Sequence, residues 1–197
     1  MFIVIDGPDG SGKTTLASRL TERLCNRGQK AIYTSEPTDT SDAGKTIRQF
    51  LQNGGIKDPY AFADLFVIDR KEHLTTLIQP HLEAGDWVVC DRYKYSALAY
   101  QQMQGVDAQY LINHNQSFLV PDVAFLLIPQ DTQLLLDRIQ QRGETLELFE
   151  RRELLSTAVN YYRKLPIYFP GENLQFLDAG IPIEENLHQI ESMLMKL

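Results

Sequence analysis

Residues 7–14 read Gly-Pro-Asp-Gly-Ser-Gly-Lys-Thr, a complete G-x-x-x-x-G-K-[ST] spacing set between two segments of different period. Before it runs the apolar stretch Phe2-Ile3-Val4-Ile5; after it Leu16, Leu20 and Leu24 recur at helical spacing. Strand, glycine-rich loop and helix in that order make a phosphate cradle. The glycines let backbone N–H groups turn inward, and the helix N-terminus adds partial positive charge. Gly7, Pro8, Asp9, Gly10, Ser11, Gly12, Lys13, Thr14 and Thr15 are therefore expected to wrap a nucleoside triphosphate. Lys13 would reach the β- and γ-phosphates, and the Thr14 hydroxyl would ligate Mg²⁺. The plainer alternative, a glycine-rich turn with a chance lysine, does not account for the strand and helix on either side.

The rest of the 197 residues fits one α/β domain spanning 1–197. Its 19 basic against 26 acidic residues give a net charge of −7, which argues against a general nucleic-acid surface. A nucleotide site must then be made positive locally, by a few arginines in a cleft. Met1 leads straight into the first strand, and no apolar stretch approaches membrane-spanning length, so neither a targeting segment nor a membrane association is expected. Cys25 and Cys90 lack metal or redox spacing and read as structural thiols in a reducing cytoplasm.

Short apolar runs at 2–6, 30–35, 86–91, 122–128 and 173–178 alternate with helical patterns. This predicts a three-layer fold: about five parallel strands flanked by helices on both faces. A first helix runs from Lys13 to about Arg27 and stops at Gly28. A long one starts at Asp58-Pro59, carries Phe62, Phe66 and Leu74, and should end or kink at Pro80. Asp131 caps another, closed by Gly143; a charged connection over 144–150 precedes a helix from Arg151 to about Tyr168, and the last starts near Pro182.

Beyond the loop, Trp87-Val88-Val89-Cys90 is a hydrophobic strand ending in Asp91-Arg92-Tyr93. An aspartate there reads as the acidic partner of a phosphate loop, holding Mg²⁺ directly or through water, with Arg92 at the same edge. A strand-end Asp-Arg pair in solvent is the alternative. Phe66 and Arg70 lie four apart and share a helix face, which suits a base stacked on the ring and a phosphate gripped by the guanidinium. Spacing alone favours the plainer reading, a core phenylalanine and a solvated charge. Ser96 and Tyr100 repeat the relation, lining a base pocket or an ordinary helix surface.

With these residues assembled, the chain resembles the thymidylate kinases, P-loop enzymes that phosphorylate dTMP with ATP to give dTDP on the route to dTTP. The resemblance covers nearly the whole length and rests on GPDGSGKTT at 7–15, SEPTD at 35–39, LFVIDR at 65–70, DRYKYSALAYQ at 91–101 and ELFE at 147–150. It implies that Asp9 accepts a hydrogen bond from the sugar 3′-hydroxyl, that Phe66 stacks on thymine, and that Arg70 and Arg92 hold the acceptor phosphate. Ser96, Tyr100 and Gln101 would surround base and sugar, with Tyr100 disfavouring a 2′-hydroxyl. Glu36-Pro37 would shape the acceptor side, segment 142–150 would form a lid over ATP, and two copies would pair as a homodimer.

Two departures stand out. Some family members carry an arginine inside the phosphate loop, where this chain has Pro8, Gly10 and Ser11 at the variable positions. The charge is then expected from the lid side, from Arg142 first, with Arg138, Arg151 and Arg152 flanking. Ala97 stands where some relatives place a polar residue, which leaves base choice open. Two other functions stay open at this level: a kinase for another deoxynucleotide or deoxynucleoside, and a P-loop module that hydrolyses nucleotide slowly to regulate a partner. The Asn-Lys-x-Asp motif of GTPases is absent, which counts against a GTP switch.

Overall fold

The computed structural model describes residues 1–55, 57–141 and 148–196. Five strands form one parallel sheet: β1 (Phe2–Asp6), β2 (Ala31–Ser35), β3 (Trp87–Asp91), β4 (Val123–Ile128) and β5 (Leu174–Asp178), in the order β2-β3-β1-β4-β5. Each lies within a residue of its expected place. β1 and β4 are buried end to end, as strands covered on both faces must be. Side chains alternate between two cores. Phe2 and Val4 pack with one set of helices, while Ile3 and Ile5 pack against Leu16, Leu20 and Leu24 of α1 (Lys13–Asn26) and Leu187 and Ile190 of α9 (Ile183–Leu194). Together these make the three-layer α/β architecture.

On the Phe2/Val4 side lie α3 (Pro59–His73), α5 (Lys94–Met103), α7 (Gln133–Gln141) and α8 (Leu148–Tyr168). The helix begun at Asp58 does not end at Pro80 but loses its α-helical pattern just before it. It passes through a π-helical turn, Leu74–Ile78, into α4 (Gln79–Glu83) and ends beside Gly85. Pro80 sits in the first turn of that new segment, where its missing N–H costs least. Two helices went unforeseen. α2 (Asp42–Asn53) is capped by Ser41, whose hydroxyl accepts the Gly44 N–H at 2.8 Å. α6 (Ala108–Asn115) is capped by Asp107, which accepts the Tyr110 N–H at 3.1 Å. α8 starts three residues before the expected Arg151. The rest of the expected lid, residues 142–147, lies outside the described residues, as do Arg142 and the closing Gly143.

The sheet order decides where chemistry can happen. β1 lies between β3 and β4, and Ile5 is in register with Asp91, which is itself in register with Ser35. The loops after β1, β2 and β3 therefore leave one carboxyl edge side by side, the edge where open α/β sheets bind ligands.

Candidate active site

The loop after β1 is shaped by contacts that exclude side chains. A Cβ on Gly7 would stand 2.6 Å from the Leu127 carbonyl oxygen, so only glycine lets the loop pass that close to β4. Gly12, at φ +94, precedes α1 without a side-chain cap, and the first turn of α1 holds no acid. Its first N–H groups thus remain available to an anion. Lys13 is buried; its Nζ donates to the Pro8 carbonyl at 3.3 Å and lies 3.5 Å from Asp9. Burial, reinforced by the nearby Arg92 cation, pulls its ammonium down to about 8.

Asp91 meets this loop from β3. The Thr14 hydroxyl donates to Asp91 Oδ2 at 2.5 Å, and Tyr33 lies 3.4 Å from the same oxygen. Burial and then Asp91 push the Tyr33 phenol up to about 12. Oδ1 of Asp91 is buried with no partner. A hydroxyl and a carboxylate with one unclaimed oxygen form a hard donor set, the kind Mg²⁺ takes. Thr14 and Asp91 fit that ion. Glu36, His73 and Cys90 also cluster, but Glu36 already faces the Arg70 guanidinium at 2.8 Å, which would repel a cation.

Arg92 occupies the crossing of the two segments. Its backbone is left-handed, φ +70, a strained conformation for a non-glycine residue. Its guanidinium donates to Ser96 Oγ at 3.1 Å, pairs with Asp9, and lies 5.4 Å from the Tyr100 ring centroid. Asp9 feels burial raising its pKa, but the cations Arg92 and Lys13 outweigh it and hold the carboxyl at about 2. The Tyr100 hydroxyl accepts the Asp9 N–H at 2.9 Å, fixing the loop against α5.

Beside this cluster opens a cleft of about 330 Å³ whose wall includes Asp9, Pro37, Phe66, Arg92, Ser96, Tyr100 and Gln101. That volume falls at the low end of small-molecule sites, about 300–1,000 Å³. The Phe66 ring is half-buried, packs edge-to-face with Phe62 at 5.3 Å between centroids, and lines the cleft. Gln104, which sequence reasoning passed over, also lines it, and the Oε1 atoms of Gln101 and Gln104 are buried without partners. Ala97 is buried at 3% and forms no part of that wall.

Arg70 and Glu36 are placed differently from the other expected residues. Arg70 is 1% exposed, so it is not a solvated charge, and it does not reach the cleft wall. Its Nε and Nη2 both lie 2.8 Å from Glu36 Oε2, Nη1 donates to Asn115 Oδ1, and its plane packs near Tyr93 and Phe118. His73 completes the pair at 3.2 Å from Glu36 Oε1. On the far side of the phosphate loop, Arg138 Nη1 sits 3.4 and 3.3 Å from the Gly10 and Ser11 carbonyls. Arg152 is exposed on α8.

With loop, strand-end aspartate and aromatic cleft contiguous, the comparisons with known proteins are decisive. The family model described as "Thymidylate kinase" matches residues 5–190. The chain belongs to the thymidylate kinase family. It is 39% identical over 206 residues to a "Probable thymidylate kinase" of Thermococcus kodakarensis, covering 100% of this chain and 98% of that protein. To one so named from Pyrococcus horikoshii it is 43% identical over 190 residues, 93% of this chain and 90% of the relative. A bacterial "Thymidylate kinase" from Brachyspira hyodysenteriae is 36% identical over 155 residues, covering 78% and 75%. As a thymidylate kinase family member the chain carries the phosphate-loop lysine, the hydroxyl and the strand-end aspartate together.

Proposed function

We propose that this chain transfers the γ-phosphoryl group of ATP to dTMP, giving dTDP and ADP. The observation that carries the reading is Arg92: a cation in the cleft wall that shares the Asp9 carboxylate with the phosphate-loop lysine. A second substrate bound in the cleft would therefore present its phosphate to the γ-phosphate end of the first. A regulatory ATPase needs no such aromatic-walled site beside its loop.

The chemistry demands little covalent help. The second pKa of a monophosphate is about 6, so the acceptor is ionised at neutral pH and needs no general base. Repulsion between two polyanions is the barrier. Lys13 supplies charge to the donor, and Arg92, planar and forked, suits the acceptor oxygens. Mg²⁺, held by Thr14 and Asp91, would neutralise the developing charge on the donor phosphates. Asp9, ionised throughout the working pH range, serves as acceptor for a sugar hydroxyl, with Tyr100 closing the space beside it. Phe66 stacks on the base, Ser96 and Gln101 lie around base and sugar, Glu36-Pro37 shapes the acceptor side, and the unpartnered Oε1 atoms of Gln101 and Gln104 are the acceptors offered to the base's polar edge. Arg70 belongs to this proposal as the buried cation behind the cleft. Gly7 to Thr15 with Arg138 hold ATP, and Arg142 closes from the lid at 142–150.

The same reading takes residues 1–197 as one cytoplasmic kinase domain that pairs as a homodimer through helices packed against the long one, α3. Among the described residues no helix is long and apolar enough to cross a membrane, and the net charge of −7 argues against a general nucleic-acid surface. The test is ATP-dependent product formation over dTMP, dUMP, dCMP, dGMP and thymidine. The proposal expects dTMP to be used best; ATP hydrolysis indifferent to every acceptor would overturn it.

A further inference from the structure

Asp6, the last residue of β1, is wholly buried, and five donors from three segments converge on it. Its Oδ1 accepts the Gly7 N–H at 2.8 Å, the Ser96 hydroxyl at 2.7 Å and the Tyr162 hydroxyl at 2.8 Å. Its Oδ2 accepts the Tyr93 N–H at 3.0 Å and the Ser96 N–H at 3.1 Å. The first donor opens the phosphate loop. The next belong to the turn that displays Arg92, and Tyr162 comes from α8, whose first turn adjoins the segment expected to be the lid.

We infer that Asp6 is a positioning residue that sets Arg92 for the acceptor phosphate through Ser96. A hydroxyl has one hydrogen. Because Ser96 gives its hydrogen to Asp6, its lone pairs are left for Arg92 Nη1 and the Tyr162 hydroxyl, each 3.1 Å away. The carboxylate thus fixes the polarity of the serine, and the serine fixes the guanidinium. The same carboxylate holds the backbone. Arg92 keeps its left-handed φ of +70 between an N–H bonded to the Ile5 carbonyl at 2.9 Å and the Tyr93 and Ser96 amides bonded to Asp6. Strain of this kind persists only where surroundings over-determine it. Asp6 never touches substrate; it acts on a group that does. This assignment rests on the acceptor-clamp reading of Arg92.

A double-mutant cycle tests it, with full-length chain, ATP and dTMP. Asp6→Asn sets an NH₂ group against the three donors at one oxygen or the two at the other, so kcat/KM for dTMP is expected to fall about 10- to 100-fold, on the scale of one hydrogen bond to a charged group. Ser96→Ala, which leaves the backbone anchors intact, is expected to raise KM for dTMP more than it lowers kcat. If Asp6 works through Arg92, then in an Arg92→Ala background either substitution costs little further, because the contact it supports is gone. Losses that multiply overturn the Asp6 assignment alone. An Arg92→Ala enzyme close to wild type overturns both this and the acceptor-clamp reading. Should Asp6→Asn fail to fold, Asp6→Glu, which keeps the charge but displaces the carboxylate, replaces it in the same cycle: a loss in the wild-type background that disappears in Arg92→Ala supports the assignment, and a loss that multiplies overturns it.

Discussion

Replacing Arg92 by lysine and by alanine separates charge from geometry at the proposed phosphate-transfer point. In the wild-type site one guanidinium nitrogen meets Ser96 at 3.1 Å, another meets Asp9, and the plane lies beside the Tyr100 ring. Lysine keeps the charge but loses the fork: its three N–H donors radiate from one nitrogen and cannot span Ser96, Asp9 and an acceptor oxygen as two separated guanidinium nitrogens do. Losing one hydrogen bond to a charged group costs about 1.5–3 kcal/mol, roughly a 10- to 150-fold fall in kcat/KM for dTMP. Alanine removes the charge itself, a loss of about 3–4 kcal/mol, or 100- to 1,000-fold. The ATP side should respond differently. Arg92 helps depress Lys13, so removing it favours the charged lysine, and KM for ATP should not rise. A coupled assay of ADP release, varying each substrate in turn, reads all of this. Arg92→Gly serves as a control for backbone strain: it should fold more stably than Arg92→Ala by about 1 kcal/mol while remaining as inactive. Alanine activity within a few-fold of wild type, or equal losses on both substrates, would refute the reasoning.

Further outcomes follow from individual residues. Since Lys13 sits near pH 8 before nucleotide binds, ATP binding should take up a proton above that pH. Affinity should weaken about tenfold per pH unit there, where the polyphosphate itself no longer titrates. Calorimetry in buffers of different ionisation enthalpy would show the uptake, and a flat affinity to pH 9.5 would contradict it. Arg70→Ala leaves buried Glu36 without its guanidinium and should destabilise the fold by about 3–5 kcal/mol, a drop in Tm of roughly 6–20 °C; a thermal melt near wild type would remove Arg70 from the buried framework. Phe66→Ala should raise KM for dTMP about 10- to 100-fold, the scale of one stacked base, with kcat less affected; unchanged KM would place the base elsewhere.

Much of this arrangement is legible in the chain itself. Residues 2–24 announce strand, loop and helix because the hydrophobic period changes across a glycine-rich segment, and the structure follows within a residue. The aspartate closing β3 was legible for the same reason: a charge ending an apolar run must lie at a sheet edge. Side-chain partnership was not. Spacing puts Phe66 and Arg70 on one face, yet Phe66 turns to the cleft while Arg70 is drawn into the interior by Glu36 and Asn115, partners 34 and 45 residues away in the chain. Asp6 ends an apolar run just as Asp91 does, but nothing local reveals that Tyr162, 156 residues on, will bond to it. α2 was hidden because Gly44 sits in its first turn. That glycine is there because a Cβ would stand 2.2 Å from the Thr38 carbonyl oxygen, a tertiary constraint with no local trace.

The most direct measurement is a crystal structure with dTMP, Mg²⁺ and a non-hydrolysable ATP analogue bound together. It should show the dTMP phosphate hydrogen-bonded to Arg92 and in line with the γ-phosphate beside Lys13, with the base on Phe66. A complex in which Arg92 keeps only Asp9 and Ser96 while the acceptor phosphate lies elsewhere would contradict the account.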